Sequence, residues 1–207
     1  MSVTRRSFAA GTAASFGILH QAHAAAEPIR IGWLVTLTGP LSSPGAGFDR
    51  GVQWATEEIN AKGGVLGRKV EVISEDNQSK PGESATVAKK LLSRDKVIAL
   101  LGEVTSSRSL EVAPLAQAAK IPMIASGATN PAVTQKGDHV FRVCFIDPFQ
   151  GTVMATFAKN TLKAKNVALL TDAAAPYSVG LATFFKEKFI ADGGKVVIEQ
   201  KFSSGDK

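Results

Sequence analysis

Short, unbroken apolar runs alternate with segments of helical period along nearly the whole chain, and this alternation limits the fold more than any single motif. Strands are expected over 29–35, 69–73, 97–101, 121–125, 140–146, 167–170 and 195–200. Helices are expected over 48–62, 81–94, 109–120, 149–163 and 179–191. In the first helix Val52, Ala55 and Ile59 recur at helical spacing, and Gly63-Gly64 ends it. In the second, Pro81 sits in the first turn and Ala85, Ala88, Leu91 and Leu92 share one face. The strand runs are rich in Val, Ile and Leu, the composition of strands covered on both faces. Strands of that kind, separated by helices of about twelve residues, belong to parallel sheets with helices on both sides. The fold class is therefore α/β.

Asp147-Pro148 interrupts the alternation just after a strand, and a fresh series of strand and helix follows it. This marks a crossing between two units, 27–146 and 147–207. The second unit holds two strand–helix steps after its opening helix and is read as incomplete. No internal repeat or low-complexity stretch is visible.

The first 24 residues stand outside the fold. Thr4-Arg5-Arg6-Ser7-Phe8 is a paired-arginine start, 9–19 is a short Ala-rich run, and Ala22-His23-Ala24 is a small-residue cleavage pattern. That order is the signature of an export signal of the twin-arginine type, with cleavage near Ala24 and a periplasmic mature protein. The run is too short for a bilayer, which takes about 20 apolar residues. Taking Arg5 and Arg6 from the 24 basic residues leaves 22 against 18 acidic ones, a net charge of +4. These charges are dispersed and are not interleaved with aromatics, so no nucleic-acid footprint is indicated. Cys144 is the single cysteine. It excludes an internal disulfide and reads as a small buried hydrophobe within an apolar run rather than as a reactive thiol. His139 is the one histidine beyond the leader and reads as a surface turn residue, so neither a His-rich metal site nor a Ser-His-Asp triad is expected.

In open parallel sheets ligands bind at the carboxyl ends of strands, against helix N-termini. Three loops have suitable residues there. The first, 36–47, is long and polar. Its Gly45-x-Gly47-x-x-x-Gly51 departs from the dinucleotide fingerprint, because the third glycine is one position late and the gap from the strand is too long. The second, 102–108, opens a helix for which Ser106 or Ser107 is a natural N-cap. It either receives an anion on its free N–H groups or simply caps the helix. The third, 125–131, has small residues that let a ligand approach the backbone, with Thr129 as donor and acceptor. Alternatively it is a turn chosen for its Gly and Asn-Pro geometry.

Leu37-Thr38-Gly39-Pro40-Leu41, then Gly51, then 58–67 (EINAKGGVLG) resembles the periplasmic leucine/isoleucine/valine-binding protein family of ABC importers. The similarity continues through Asp76, the 102–107 loop, Ile121-Pro122, 126–131 and Phe141-Arg142. It implies a two-lobe type I periplasmic binding fold whose second lobe is incomplete. It also implies ligand contacts at Ser106, Ser107, Gly127, Ala128, Thr129 and Tyr177. Ser106 would hold an α-carboxylate through its hydroxyl and N–H. The Gly127 carbonyl would face an α-ammonium group, and Thr129 would touch both ends of the zwitterion. Tyr177 would close over the ligand from the second lobe. The family's amino-acid binders carry a disulfide cysteine where this chain has Thr105.

The resemblance implies a solute-binding protein that takes an amino acid or a small carboxylate or amide and hands it to a permease at the inner membrane. No cofactor, metal or catalytic residue is implied. The alternative is a sensor that presents the same kind of ligand to a membrane receptor. An enzyme is disfavoured, because no Gly-x-Ser-x-Gly elbow, phosphate loop or paired-histidine motif occurs.

Overall fold

The computed structural model describes residues 27–203 and Asp206. The export signal expected over 1–24 lies outside the described residues. The first strand, β1 (Ile29–Val35), pairs in parallel with β2 (Val70–Asp76) on one side and β3 (Ala99–Leu101) on the other. β4 (Met123–Ala125) pairs with β3, and β5 (Val140–Arg142) with β4, both in parallel. The sheet order is therefore β2-β1-β3-β4-β5. The order reverses at β1, because the chain leaves β2 at one edge and returns on the far side of β1. A crevice forms outside the carboxyl ends of β1 and β3 at such a switch point.

The helices between these strands are α1 (Ser42–Ala61), α2 (Glu83–Ser93) and α3 (Ser106–Ala119). Leu34, Leu91, Leu100, Val112, Ala113, Ala116 and Met123 are fully buried and form the centre of the main core. On α3, Ser106, Ser109, Val112, Ala113 and Ala116 are buried, the spacing of one helix face. The side chain of Asn60 explains the block around it. Its Oδ1 accepts from Val70 N, and its Nδ2 donates to Val70 O, both at 2.8 Å. The amide thereby fixes the end of α1 against β2.

A second, two-stranded parallel sheet follows, formed by β6 (Asn166–Asp172) and β7 (Lys195–Phe202). It is flanked by α4 (Asp147–Thr156), which runs on into a π turn over Phe157–Thr161, and by α5 (Pro176–Ala191). A small core of Ala155, Ala158 and Phe189 joins them. No helix among the described residues is long and apolar enough to cross a membrane.

Several expected boundaries move. α1 begins at Ser42 rather than residue 48, so half of the expected 36–47 loop is helix. The N-cap of α3 is Thr105, extended at φ −100° and ψ 148°, and Ser106 is the first helical residue. Asp147-Pro148 starts α4 instead of preceding it, since proline suits the first turn, where its missing N–H is not needed. A 3₁₀ turn spans Pro131–Lys136, capped by the Asn130 side chain. The strand expected over 140–146 stops at Arg142, and Val143 and Phe145 are exposed. Cys144 is accordingly only partly buried, although burial still pushes its thiol pKa up. His139 is a partly buried turn residue whose Nδ1 lies 2.8 Å from Asp138 Oδ1.

Candidate functional site

The carboxyl ends of β1, β3 and β4 open onto one cavity of about 720 Å³. Pro40 and Leu41 form one wall, after β1. Val104 to Arg108, entering α3, form the second, and Gly127, after β4, forms the third. Tyr177, in the first turn of α5, faces them from the other sheet's side with Asp172 and Ala175. Of the residues expected at a site, Ser106, Ser107, Gly127 and Tyr177 line this cavity. Ala128 and Thr129 follow Gly127 but are buried behind the wall. Tyr177 is 39% exposed, and its hydroxyl accepts from Gln150 Nε2 at 3.1 Å.

Ser106 is poised to donate. Its Oγ accepts the backbone N–H of Asn130 at 3.1 Å, which directs the hydroxyl proton elsewhere. Its own N–H is one of the first-turn amides of α3, which have no intrahelical acceptor. Together with the positive end of the helix dipole, these groups suit a carboxylate.

The loop that carries Ser106 is held by a residue the sequence did not single out. Glu103 is fully buried. Its Oε2 accepts from Thr105 N at 2.7 Å and from Thr105 Oγ1 at 2.8 Å. Its Oε1 accepts from Asn77 Nδ2 at 2.7 Å and lies 2.9 Å from Thr36 Oγ1. One carboxylate thus ties together the ends of β1, β2 and β3. Thr105 is fixed by these two hydrogen bonds. On the opposite flank Asp76 accepts from Leu37 N, Gln78 N and the Thr38 hydroxyl. Burial acts against ionisation, but these bonds outweigh it and hold the Asp76 pKa below the usual range.

Arg142 organises the third wall. Its Nη1 donates to Ala128 O and Asn130 O, both at 2.8 Å, and its Nη2 to Pro131 O at 3.1 Å and Thr134 Oγ1 at 2.7 Å. Five guanidinium donors in a planar fork suit such a set of carbonyls. The sequence offered Arg142 only as part of a resemblance.

Asp147 closes the back of this wall. Its N–H donates to Thr129 O at 3.0 Å. Its carboxylate is fully buried, and neither oxygen has a hydrogen bond of normal geometry, nor does Thr129 Oγ1. Burial raises its pKa above 3.8, and the nearby Thr129 hydroxyl and Arg142 charge offset only part of that. The native state therefore holds this proton more tightly than the unfolded chain. The group's stability contribution is complete below the unfolded pKa and is lost as pH rises through the native one. Asp147→Asn is expected to be more stable than the parent near neutral pH and to lose that advantage at pH values below the unfolded carboxylate range. Denaturant melts at the two pH values check this; a less stable variant at neutral pH contradicts it.

A family model described as periplasmic binding protein matches residues 28–207. An amino acid binding protein of Pseudomonas aeruginosa is 36% identical over 186 residues, covering 89% of this chain and 49% of the relative. The crystal structure of a leucine binding protein from Thermotoga maritima superposes with a TM-score of 0.82 at 44% identity, covering 86% of this chain and 50% of that one. A solute binding protein of an ABC transporter from Rhodopseudomonas palustris, in complex with 3,4-dihydroxybenzoic acid, superposes at 0.76 and 31% identity, covering 86% and 47%. The chain spans about half the length of these relatives.

Proposed function

The chain belongs to the periplasmic binding protein family, and on that premise we propose that it acts as an extracytoplasmic solute-binding protein without catalytic activity. It takes a branched-chain amino acid or a related small carboxylate or amide and delivers it to an ABC importer. On this reading 27–146 and 147–207 belong to separate lobes, and 1–24 is a twin-arginine signal removed near Ala24 on the way to the periplasm.

The observation that carries the reading is the shared cavity, with the Ser106 hydroxyl and α3 N-terminus on one side and Tyr177 on the other. The ligand carboxylate sits on Ser106 and the first-turn N–H groups, with Ser107 beside it. The Gly127 carbonyl accepts from the ligand ammonium. Ala128 keeps that backbone close-packed. Thr129 joins when its hydroxyl turns from Asp147 towards the cavity. Tyr177 covers the ligand as the lobes close, and the closed form is what the permease recognises.

Thermal melts with L-leucine, L-isoleucine and 3,4-dihydroxybenzoate test this. A ligand at a hundred times its Kd adds about 2.7 kcal/mol of stability. One of the three is expected to raise the melting temperature of the parent chain, and the Ser106→Ala, Thr129→Ala double variant to lose that rise. A rise that persists in the double variant refutes the site.

A further inference from the structure

Asn130 does not itself line the cavity, yet it bonds to residues on two of its sides. Its backbone N–H donates to Ser106 Oγ at 3.1 Å. Its side-chain Nδ2 donates to Pro176 O at 2.8 Å, across 46 residues of chain. Pro176 opens α5 and directly precedes Tyr177. The remaining polar atom, Oδ1, accepts Ala132 N at 2.9 Å and caps the 3₁₀ turn. Its carbonyl accepts from Arg142 Nη1 at 2.8 Å. Both atoms of the Asn130 side-chain amide and both polar atoms of its backbone are therefore engaged.

α5 is shaped to receive this side chain. Gly180 lies one turn beyond Pro176, and a Cβ placed there would stand 2.9 Å from Asn130 Nδ2 and 3.4 Å from Asp147 Oδ2. The missing side chain leaves the room in which the amide reaches the helix. Asn-Pro geometry alone requires none of this, since the turn is served by Oδ1 and the backbone.

We propose that Asn130 is a positioning residue that links the Ser106 hydroxyl to the first turn of α5, so that the group receiving the ligand carboxylate and the tyrosine facing it are held in register by one residue, through its backbone N–H and its side-chain amide. The proposal rests on the binding function proposed above. The N–H that orients the serine proton and the N–H that holds α5 belong to the same residue. A shift of the serine loop on ligand engagement is therefore carried to Tyr177 without an intervening flexible contact.

Asn130→Asp separates this role from turn capping. The aspartate keeps an oxygen to accept Ala132 N, loses the donor to Pro176 O, and places an acceptor against that carbonyl. Hydrogen exchange on the ligand-free chain is the first measurement. Amides 179–182 donate to carbonyls of the first turn of α5, and their exchange is expected to rise about threefold to tenfold, the effect of losing one neutral hydrogen bond. Exchange over 112–116 in α3 should not change. Gly180→Ala is the second variant. It leaves Asn130 in place, strengthens helix propensity, and displaces the Asn130 amide by contact, so it should give the same local rise. Unchanged exchange over 179–182 in both variants overturns the link, as does a uniform rise along the whole chain.

Calorimetry with L-leucine as probe is the second arm. Asn130→Asp is expected to weaken binding about tenfold with the parent's melting temperature nearly kept. Equal affinity in the variant, with α5 exchange raised, removes the transmission to Tyr177. If the parent chain does not bind L-leucine, that choice of ligand fails, and the exchange experiment alone decides the link.

Discussion

Glu103→Ala is expected to cost about 3–5 kcal/mol of stability, a large share of the 5–15 kcal/mol typical of a domain. The side chain is fully buried and accepts at both oxygens. Truncation leaves the Thr105 N–H, the Thr105 hydroxyl and one Asn77 N–H without partners. Asn77 is fully buried, and a buried donor stranded in this way costs about 1–3 kcal/mol, more than the same bond contributes when intact; the partly buried Thr105 donors cost less each. A cavity is created as well, adjoining the Thr36 hydroxyl. Glu103→Gln keeps the volume but turns an amide NH₂ towards one of the existing donors, so it should lose about half as much. Because Thr105 is the N-cap of α3, the damage reaches the ligand side too, since Ser106 follows directly. Equilibrium denaturation of the three proteins decides the matter. A Glu103→Ala chain within about 1 kcal/mol of the parent would show that water or rearrangement replaces the network.

Gly45→Ala should be at least as severe, and Gly47→Ala should do the opposite. Both lie in the first two turns of α1. A Cβ on Gly45 would stand 1.7 Å from the Thr36 carbonyl oxygen and 2.7 Å from its carbon. These are backbone atoms at the end of β1, so no rotamer relieves the overlap. Either α1 withdraws from β1, pulling Asp49 off the Trp33 indole N–H that it accepts at 3.0 Å, or the strand end moves. The cost is expected to exceed about 4 kcal/mol, in the range reserved for core overpacking and backbone strain. At Gly47 nothing lies within 4 Å of the added carbon. Alanine there gains helix propensity and is expected to stabilise by about 0.5–1 kcal/mol. Two substitutions of identical chemistry, two residues apart, thus differ in sign. Comparable melting temperatures for the two variants would mean that α1 does not seat on Thr36 as described.

These cases separate what a linear reading reaches from what it misses. Element order and type were legible because periodicity is local. Trp33, Leu34 and Val35 are consecutive buried apolar residues of β1, which pairs on both edges, and α2 shows its stripe within eleven residues. The loops at the carboxyl ends of strands followed from that order, and three of them converge on the cavity. The expected contacts Ser106, Ser107, Gly127 and Tyr177 lie on its wall, whereas Ala128 and Thr129 were expected there and lie behind it.

Helix starts were misplaced where propensity misled. Ser42, Ser43, Pro44, Gly45 and Gly47 read as a loop because each is a weak helix former. They are helical because the Gly45 backbone fits flush on β1, a contact no local rule anticipates. Likewise Val143 to Ile146 read as strand on composition, yet no neighbouring strand runs beside them.

By itself, then, the sequence determined the α/β class, the order of strands and helices, and the loops in which a ligand could be met. Only the tertiary structure decided that β1 lies between β2 and β3, that Gly45 cannot bear a methyl group while Gly47 can, and that Glu103 and Asn130 are joints. The reason is range. Periodicity speaks for residues within a few turns of one another, whereas the pairs that make the site are Thr36 with Asn77 and Glu103, 41 and 67 residues apart, and Asn130 with Pro176, 46 apart. Such partners are chosen by sheet order and register, which exist only once the chain has folded.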